Sequence, residues 1–430
     1  MTNKTYSEHI LDNGLTVLLE ENHSAPVISH WIWYRVGSRN EVPGKTGISH
    51  WVEHMLFRGS ERYPGLETFE SISRNGGTLN ACTAWDWTAF HETMPADRIA
   101  AAVDMEADRM VNALFSPEDV ESERTVILSE LAGGEDEVGP RLDADMRKVI
   151  FPDHPYGRQI IGTAEDLQRL TRDDLYGHYR TWYVPNNAVI AAAGDFETDE
   201  MLRLIDAAFG KIPARPLPVQ HILPDGPVRG PLTIAKRGPW PGVELRICWQ
   251  GPGAMDPDLP ALMLLNTILA GPADMNSFGN SWTNRISRLF RKLSEKELTP
   301  DIEGSFTVLR DPSIYGLFTR CMSADEAEPA AEVIFRELEN ITARGPEPAE
   351  ITGARKQMKA VLAAAAEDAE DRACWLGYSA MLGGPDWCDT FLKRLESVTE
   401  EDISRASGRF LRRDGSVTCI YCKEEESDEA

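Results

Sequence analysis

The spacing of apolar residues predicts strands first and helices after in each half of the chain. Residues 15–20 (LTVLLE) and 27–36 (VISHWIWYRV) are β-rich and flank a turn-like segment at 22–26. Helical periodicity follows at about 47–60, 66–75, 97–113 and 117–132, and again at 325–343 and 347–370. Strands followed by helices argue for an α+β fold, with helices on one face of a mostly antiparallel sheet. The most informative segment is Gly47 to Ser60 (GISHWVEHMLFRGS). At 100° per residue, Ile48, Trp51, Val52, Met55 and Leu56 form one apolar face, and His50, Glu53, His54 and Phe57 fall opposite.

Six prolines between Lys211 and Pro231 interrupt both kinds of periodicity, so this stretch reads as a linker. The two sides of the linker echo each other. Residues 170–194 align without a gap to 398–422, 228 positions later. Each copy opens on a Thr-x-x-Asp capping box (Thr171/Asp174, Thr399/Asp402) and runs through an amphipathic helix with Trp182 or Phe410. Each then turns at Asn187 or Gly415 into a β-rich run. A weaker echo joins Leu15-Thr16-Val17 to Leu232-Thr233-Ile234. The chain is therefore expected to be a duplicated α+β unit: 1–212, a linker at 213–231, and 232–430.

Two imidazoles at i and i+4 stand about 5–6 Å apart at Cβ, close enough to share one metal ion. Glu53 lies beside them, placed to accept a proton rather than to ligate. A zinc site that does chemistry has three protein ligands, so a third must come from elsewhere. A candidate helix starts at Ser116 as N-cap, with Pro117 at N1 and Asp119 completing a capping box, and is expected to stop at Gly133-Gly134. On it Glu123, Ile127 and Glu130 share one stripe. One carboxylate could ligate and the other could support a ligand from behind, and the spacing does not choose between them. The histidines at 9, 23, 30, 91, 154, 178 and 221 show no paired spacing and read as structural or surface residues.

Composition narrows the function classes. The 430 residues carry 69 acidic against 44 basic side chains, a net charge of -25, which disfavours nucleic acid and anionic membrane as partners. No apolar run approaches the ~20 residues of a membrane helix. The opening MTNKTY shows no signal-peptide pattern, and seven cysteines fit a reducing compartment, so the cytoplasm is the expected location. Cys419 and Cys422 form a CxxC, but inside a strand-like run without a second pair, and read as strand residues.

His-x-x-Glu-His reverses the order of the commoner zinc-peptidase motif. The segment His50-Trp51-Val52-Glu53-His54-Met55 resembles the signature helix of the pitrilysin, insulysin and mitochondrial processing peptidase family, the inverzincins. The resemblance covers nearly the whole chain. It implies Glu130 as third zinc ligand and Glu123 as its supporting carboxylate. It also implies that Gly76–Ala81 is an edge strand, where Asn80 and Ala81 meet substrate backbone. His154–Gly157, Tyr183–Asn187 and Ser287–Phe290 are further family-like stretches. The implied fold is two homologous domains around a chamber, which small members complete by dimerising. The implied activity is hydrolysis of peptides or unfolded segments, with zinc polarising the scissile carbonyl and Glu53 as general base. One departure stands out. Ser294 occupies the place of the family's substrate-binding Arg, and Pro300 or Asp301 that of its Tyr. The expectation is therefore a zinc-bearing subunit paired with a homologous chain, a homodimer being the alternative. A non-hydrolytic scaffold or peptide-binding subunit is the rival class. Gly271–Gly279, where some members have a substrate-handling loop, reads as an ordinary connection.

Overall fold

The computed structural model describes residues 5–273 and 285–424. In chain order its strands are β1 (Ser7–Ile10), β2 (Thr16–Glu21), β3 (Val27–Tyr34), β4 (Thr78–Thr83), β5 (Thr88–Pro95), β6 (Ala188–Gly194), β7 (Leu232–Gly238), β8 (Val243–Gln250), β9 (Glu303–Phe306), β10 (Ile314–Cys321) and β11 (Val417–Lys423). The helices that matter below are α1 (Ile48–Leu56), α2 (Ile99–Asn112), α3 (Pro117–Glu135), α4 (Val138–Ile150), α5 (Leu259–Leu269) and α6 (Ala369–Leu382). Among the described residues no helix is long and apolar enough to cross a membrane.

The strands form two sheets of one topology. The first has the order β1-β2-β6-β3-β5-β4 and the second β7-β11-β8-β10-β9. Removing β1 makes the orders superimposable, and in each the only parallel neighbours are the first strand and the last in sequence, β2/β6 and β7/β11. The duplication read from the sequence is thus present in three dimensions. Thr171 and Thr399 cap their helices through the expected reciprocal boxes with Asp174 and Asp402. Each helix then leads through a 3-10 turn into β6 or β11.

The compact units are not continuous in sequence. The first comprises 1–134, 158–222 and 365–387, and the second 135–157, 223–364 and 388–430. The boundary between 222 and 223 lies inside the proline-rich stretch. Beyond that, each half supplies one helix to the other's unit. Shifted by 228 positions, α4 overlaps α6, so the exchanged helices are the same member of the repeat. In the first unit α6 lies on β3 and β6, with Arg372 paired to Glu20 of β2 and Glu370 accepting from Thr93 of β5 at 3.0 Å. Gly377 permits the approach, since a Cβ there would sit 1.9 Å from the Trp33 indole nitrogen.

This helix explains a sequence feature. The opposite face of the sheet packs into a core with Ile32, Trp51, Val52, Met55, Val103 and Ile127. With helices on both faces, β3 and β6 read as near-continuous apolar runs rather than alternating ones. The one-face expectation is corrected accordingly. So is the single helix expected at 347–370. The chain forms a helix at Pro348–Ala364, breaks, and restarts at α6, where the Asp368 side chain caps Asp371 N–H at 2.9 Å. The helix α3 also runs past Gly133-Gly134 to Glu135, because extending a formed helix gains a hydrogen bond per residue that offsets glycine's cost of about 1 kcal/mol. The connection expected at Gly271–Gly279 lies largely outside the described residues.

Candidate active site

The site is built on α1 in the first unit. Gly47 sits at its N-cap with φ 85°, and a Cβ there would meet the Ile161 carbonyl at 2.3 Å. Glycine cannot cap with a side chain, and the buried Glu41 carboxylate does so instead, accepting from Gly47 and Ser49 N–H at 2.9 Å each. The apolar face expected of α1 is wholly buried, which fixes its rotation and turns His50 and His54 the other way.

A second helix meets that polar face. Ser116 caps α3 by accepting from Asp119 N–H at 3.1 Å. Arg124 clasps α3 to its neighbours, stacking 4.7 Å from the Trp51 ring and donating to the Leu167 and Leu170 carbonyls. Ile127 is fully buried between the two acids of its stripe. Their positions differ sharply. Glu130 is half exposed, with Oε1 3.7 Å from His50 Nε2 and Oε2 3.7 Å from His54 Nε2. Glu123 is buried, accepts from His54 Nδ1 at 2.9 Å, and pairs with the Arg58 guanidinium through its other oxygen. The two acids thus differ in place: Glu130 lies beside both imidazole Nε2 atoms and Glu123 lies behind one ring.

One ligand atom from each of His50, His54 and Glu130 lies within 4.8 Å of the other two. Two ligands about 2.05 Å from a tetrahedral zinc are about 3.4 Å apart, so the 3.7 Å separations need only a small closure to hold the ion. The donor chemistry fits as well. His54 Nδ1–H is committed to Glu123, which leaves the Nε2 lone pair toward Glu130. Burial, with the neighbouring His54 adding to it, pushes the His50 imidazole down to about 3, so the ring is neutral at physiological pH and its nitrogen is free to coordinate.

Glu53 points from α1 toward β4. It is 8% exposed, and Oε2 accepts from the Thr83 hydroxyl at 2.6 Å. Burial raises its carboxyl above the ordinary value, and the Thr83 hydrogen bond opposes that shift. The strand β4 is one of the two edge strands of its sheet. Leu79 and Ala81 pack against the core while Thr78 and Asn80 face out, and Asn80 Oδ1 accepts from Ala81 N–H at 2.9 Å.

Sequence reasoning missed three polar residues here. Arg58 lies one turn after His54, and period-two alternation from Leu79 and Ala81 points Thr83 at α1, so both were findable. Glu41 left no local signal. The remaining histidines lie off the cluster: His30 meets Glu92 at 3.1 Å, His178 meets Ser49 at 3.3 Å, and His154 belongs to the second unit beside Asp311. Cys419 and Cys422, three apart on β11, face opposite sides of a strand and cannot chelate together.

The family model for insulinase, peptidase family M16, matches residues 16–164. The model for the peptidase M16 inactive domain matches 169–358. This chain belongs to peptidase family M16. An uncharacterised zinc protease of Streptomyces coelicolor is 29% identical over 95% of this chain and 88% of its own length. A probable mitochondrial-processing peptidase subunit beta of Arabidopsis thaliana is 28% identical over 82% of the chain and 66% of its own length. A solved protease structure from Helicobacter pylori superimposes with a TM-score of 0.89 at 21% identity, covering 97% of this chain and 99% of that one. The two halves differ in chemistry. In the second unit α5 is buried along its whole length and carries no ionisable residue. Its Asn266 bonds inward to Tyr315 hydroxyl at 3.1 Å and the Gly271 carbonyl at 3.0 Å. Ser294 ends the helix Arg288–Ser294, and Asp301 accepts from Arg320 N–H at 3.1 Å.

Proposed function

We propose that this chain is a zinc-dependent endopeptidase, with His50, His54 and Glu130 as ligands and Glu53 as general base. The observation that carries the reading is the convergence of those three side chains beside a buried carboxylate on the same helix. Zinc held there would polarise the scissile carbonyl and lower the pKa of a water to about 7. Glu123 fixes the ring and tautomer of His54, and Arg58 holds Glu123. Glu53 takes a proton from the attacking water at its carboxylate and returns it to the leaving amine nitrogen. An extended peptide adds to the β4 edge at Asn80 and Ala81, so main-chain pairing gives affinity without strict sequence choice.

The reading extends to assembly. Neither Ser294 nor Pro300 or Asp301 can act as the Arg and Tyr that the family resemblance leads one to expect, so a homologous subunit supplies them and completes the chamber. The relative from Arabidopsis is itself named a subunit. Seven free thiols support a cytoplasmic location. Glu53→Gln should retain zinc and lose hydrolysis of an unstructured fluorogenic peptide, whereas His50→Ala should lose both. Turnover by Glu53→Gln would overturn the base assignment, and full activity of the isolated chain would overturn the heterodimer. Retained zinc with no turnover in the presence of any homologous chain would favour the peptide-binding reading.

A further inference from the structure

The base assigned to Glu53 has a support that the metal ligands do not provide. Thr83 and Thr88 face each other across the β4–β5 hairpin. The Thr83 hydroxyl lies 2.6 Å from Glu53 Oε2 and 3.3 Å from Thr88 Oγ1. The Thr88 hydroxyl donates to the Val36 carbonyl at 2.9 Å. All three side chains are buried. A carbonyl can only accept, so the Thr88 proton is committed to Val36, and its oxygen can only accept from Thr83. Thr83 therefore has one proton and two acceptors. The shorter contact places that proton on Glu53 Oε2, while Thr88 holds the hydroxyl from the other side.

From this geometry we propose, building on the general-base reading above, that the Thr83–Thr88 hydroxyl pair positions Glu53, holding its carboxylate in one orientation. Thr83 and Thr88 are positioning residues, since neither faces the substrate edge. The side chain of Thr83 approaches Glu53 from β4, the strand on which substrate is read, so the base is registered to substrate backbone as well as to its own helix. Removing the hydroxyl leaves a buried carboxylate short of a donor, whose orientation then depends on its own rotamer alone.

The test compares Thr83→Val, Thr83→Ser and Thr88→Val with wild type and Glu53→Gln, using zinc content, steady-state kinetics on one unstructured peptide, and crystal structures of the zinc-loaded proteins. Valine keeps the shape of threonine without the hydroxyl. In Thr83→Val, kcat should fall on the order of 10- to 100-fold, with KM within about threefold and zinc unchanged. Thr83→Ser should recover most of the loss, and Thr88→Val should show a smaller fall. The Glu53 carboxylate should take one orientation in wild type and Thr83→Ser and more than one in Thr83→Val. Wild-type kcat in Thr83→Val, a serine variant as impaired as valine, or an unmoved Glu53 in the valine structure would each overturn the proposal. If Glu53→Gln itself turns over peptide, the general-base reading has failed instead. The crystal structures decide the positioning role even where the chain alone is inactive.

Discussion

Replacing Glu123 and Glu130 in turn separates a ligand from the residue behind it. In Glu123→Ala the imidazole of His54 loses a charge-assisted hydrogen bond of 2.9 Å that it donates to a carboxylate 4% exposed. Such bonds contribute about 1.5–3 kcal/mol, and comparable losses behind metal ligands weaken binding about 10- to 100-fold. Arg58, about a third exposed, can turn to water, so the fold should survive. Glu130→Ala would remove a proposed ligand itself. Spreading about 10–16 kcal/mol of zinc affinity over four ligands gives roughly 2.5–4 kcal/mol each, or a loss of about 70- to 900-fold. Glu130 is half exposed, so its replacement should cost no stability. The assay is competition with a chromophoric chelator at pH 7.5, with circular dichroism confirming the fold. The expected order of zinc affinity is wild type, then Glu123→Ala, then Glu130→Ala. Near-wild-type binding by Glu130→Ala together with zinc loss in Glu123→Ala would refute the assignment by exchanging the two roles.

Further expectations follow from packing and burial. Gly377→Ala places a methyl 1.9 Å from the Trp33 indole nitrogen, so α6 must retreat from the sheet. The urea midpoint should fall by the equivalent of about 1–3 kcal/mol, and an unchanged midpoint would refute the docking described. A fragment of residues 1–222 leaves the α6 side of β3 and β6 uncovered, so it should bind a hydrophobic dye until a peptide of residues 365–387 is added; a fragment that folds without the peptide would contradict this. Burial lowers the His178 imidazole to about 3. The unfolded chain binds that proton near pH 6.5 and the folded chain does not, so stability falls as pH drops below 6.5. Between pH 7.5 and 5 wild type should lose about 2 kcal/mol more than His178→Gln in paired denaturation curves, and parallel losses would refute the shift.

Local periodicity carried much of the site. The apolar stripe Ile48-Trp51-Val52-Met55-Leu56 fixes which way α1 faces, and so which side His50 and His54 occupy. Glu123 and Glu130 share a stripe two turns apart, and periodicity treats them alike. Only the packing of α3 against α1, where Arg124 meets Trp51, carries one acid to the imidazole Nε2 atoms and leaves the other at Nδ1. The capping boxes at Thr171 and Thr399 were legible because they are local. The exchange of α4 and α6 was not, because an apolar helix surface does not say which sheet will cover it. The alanine-rich run at 347–370 has strong helix propensity throughout. Asp368 ends the continuity by capping a new helix, a competition that propensity alone does not weigh.

The ligand set is the claim on which the mechanism depends, and anomalous diffraction at the zinc edge from crystals of the zinc-loaded chain tests it directly. One peak is expected in the first unit, within about 2.0–2.2 Å of His50 Nε2, His54 Nε2 and a Glu130 carboxylate oxygen, with Glu123 still hydrogen-bonded to His54 Nδ1. A peak coordinated by Glu123 in place of Glu130, or no peak at α1, would contradict it.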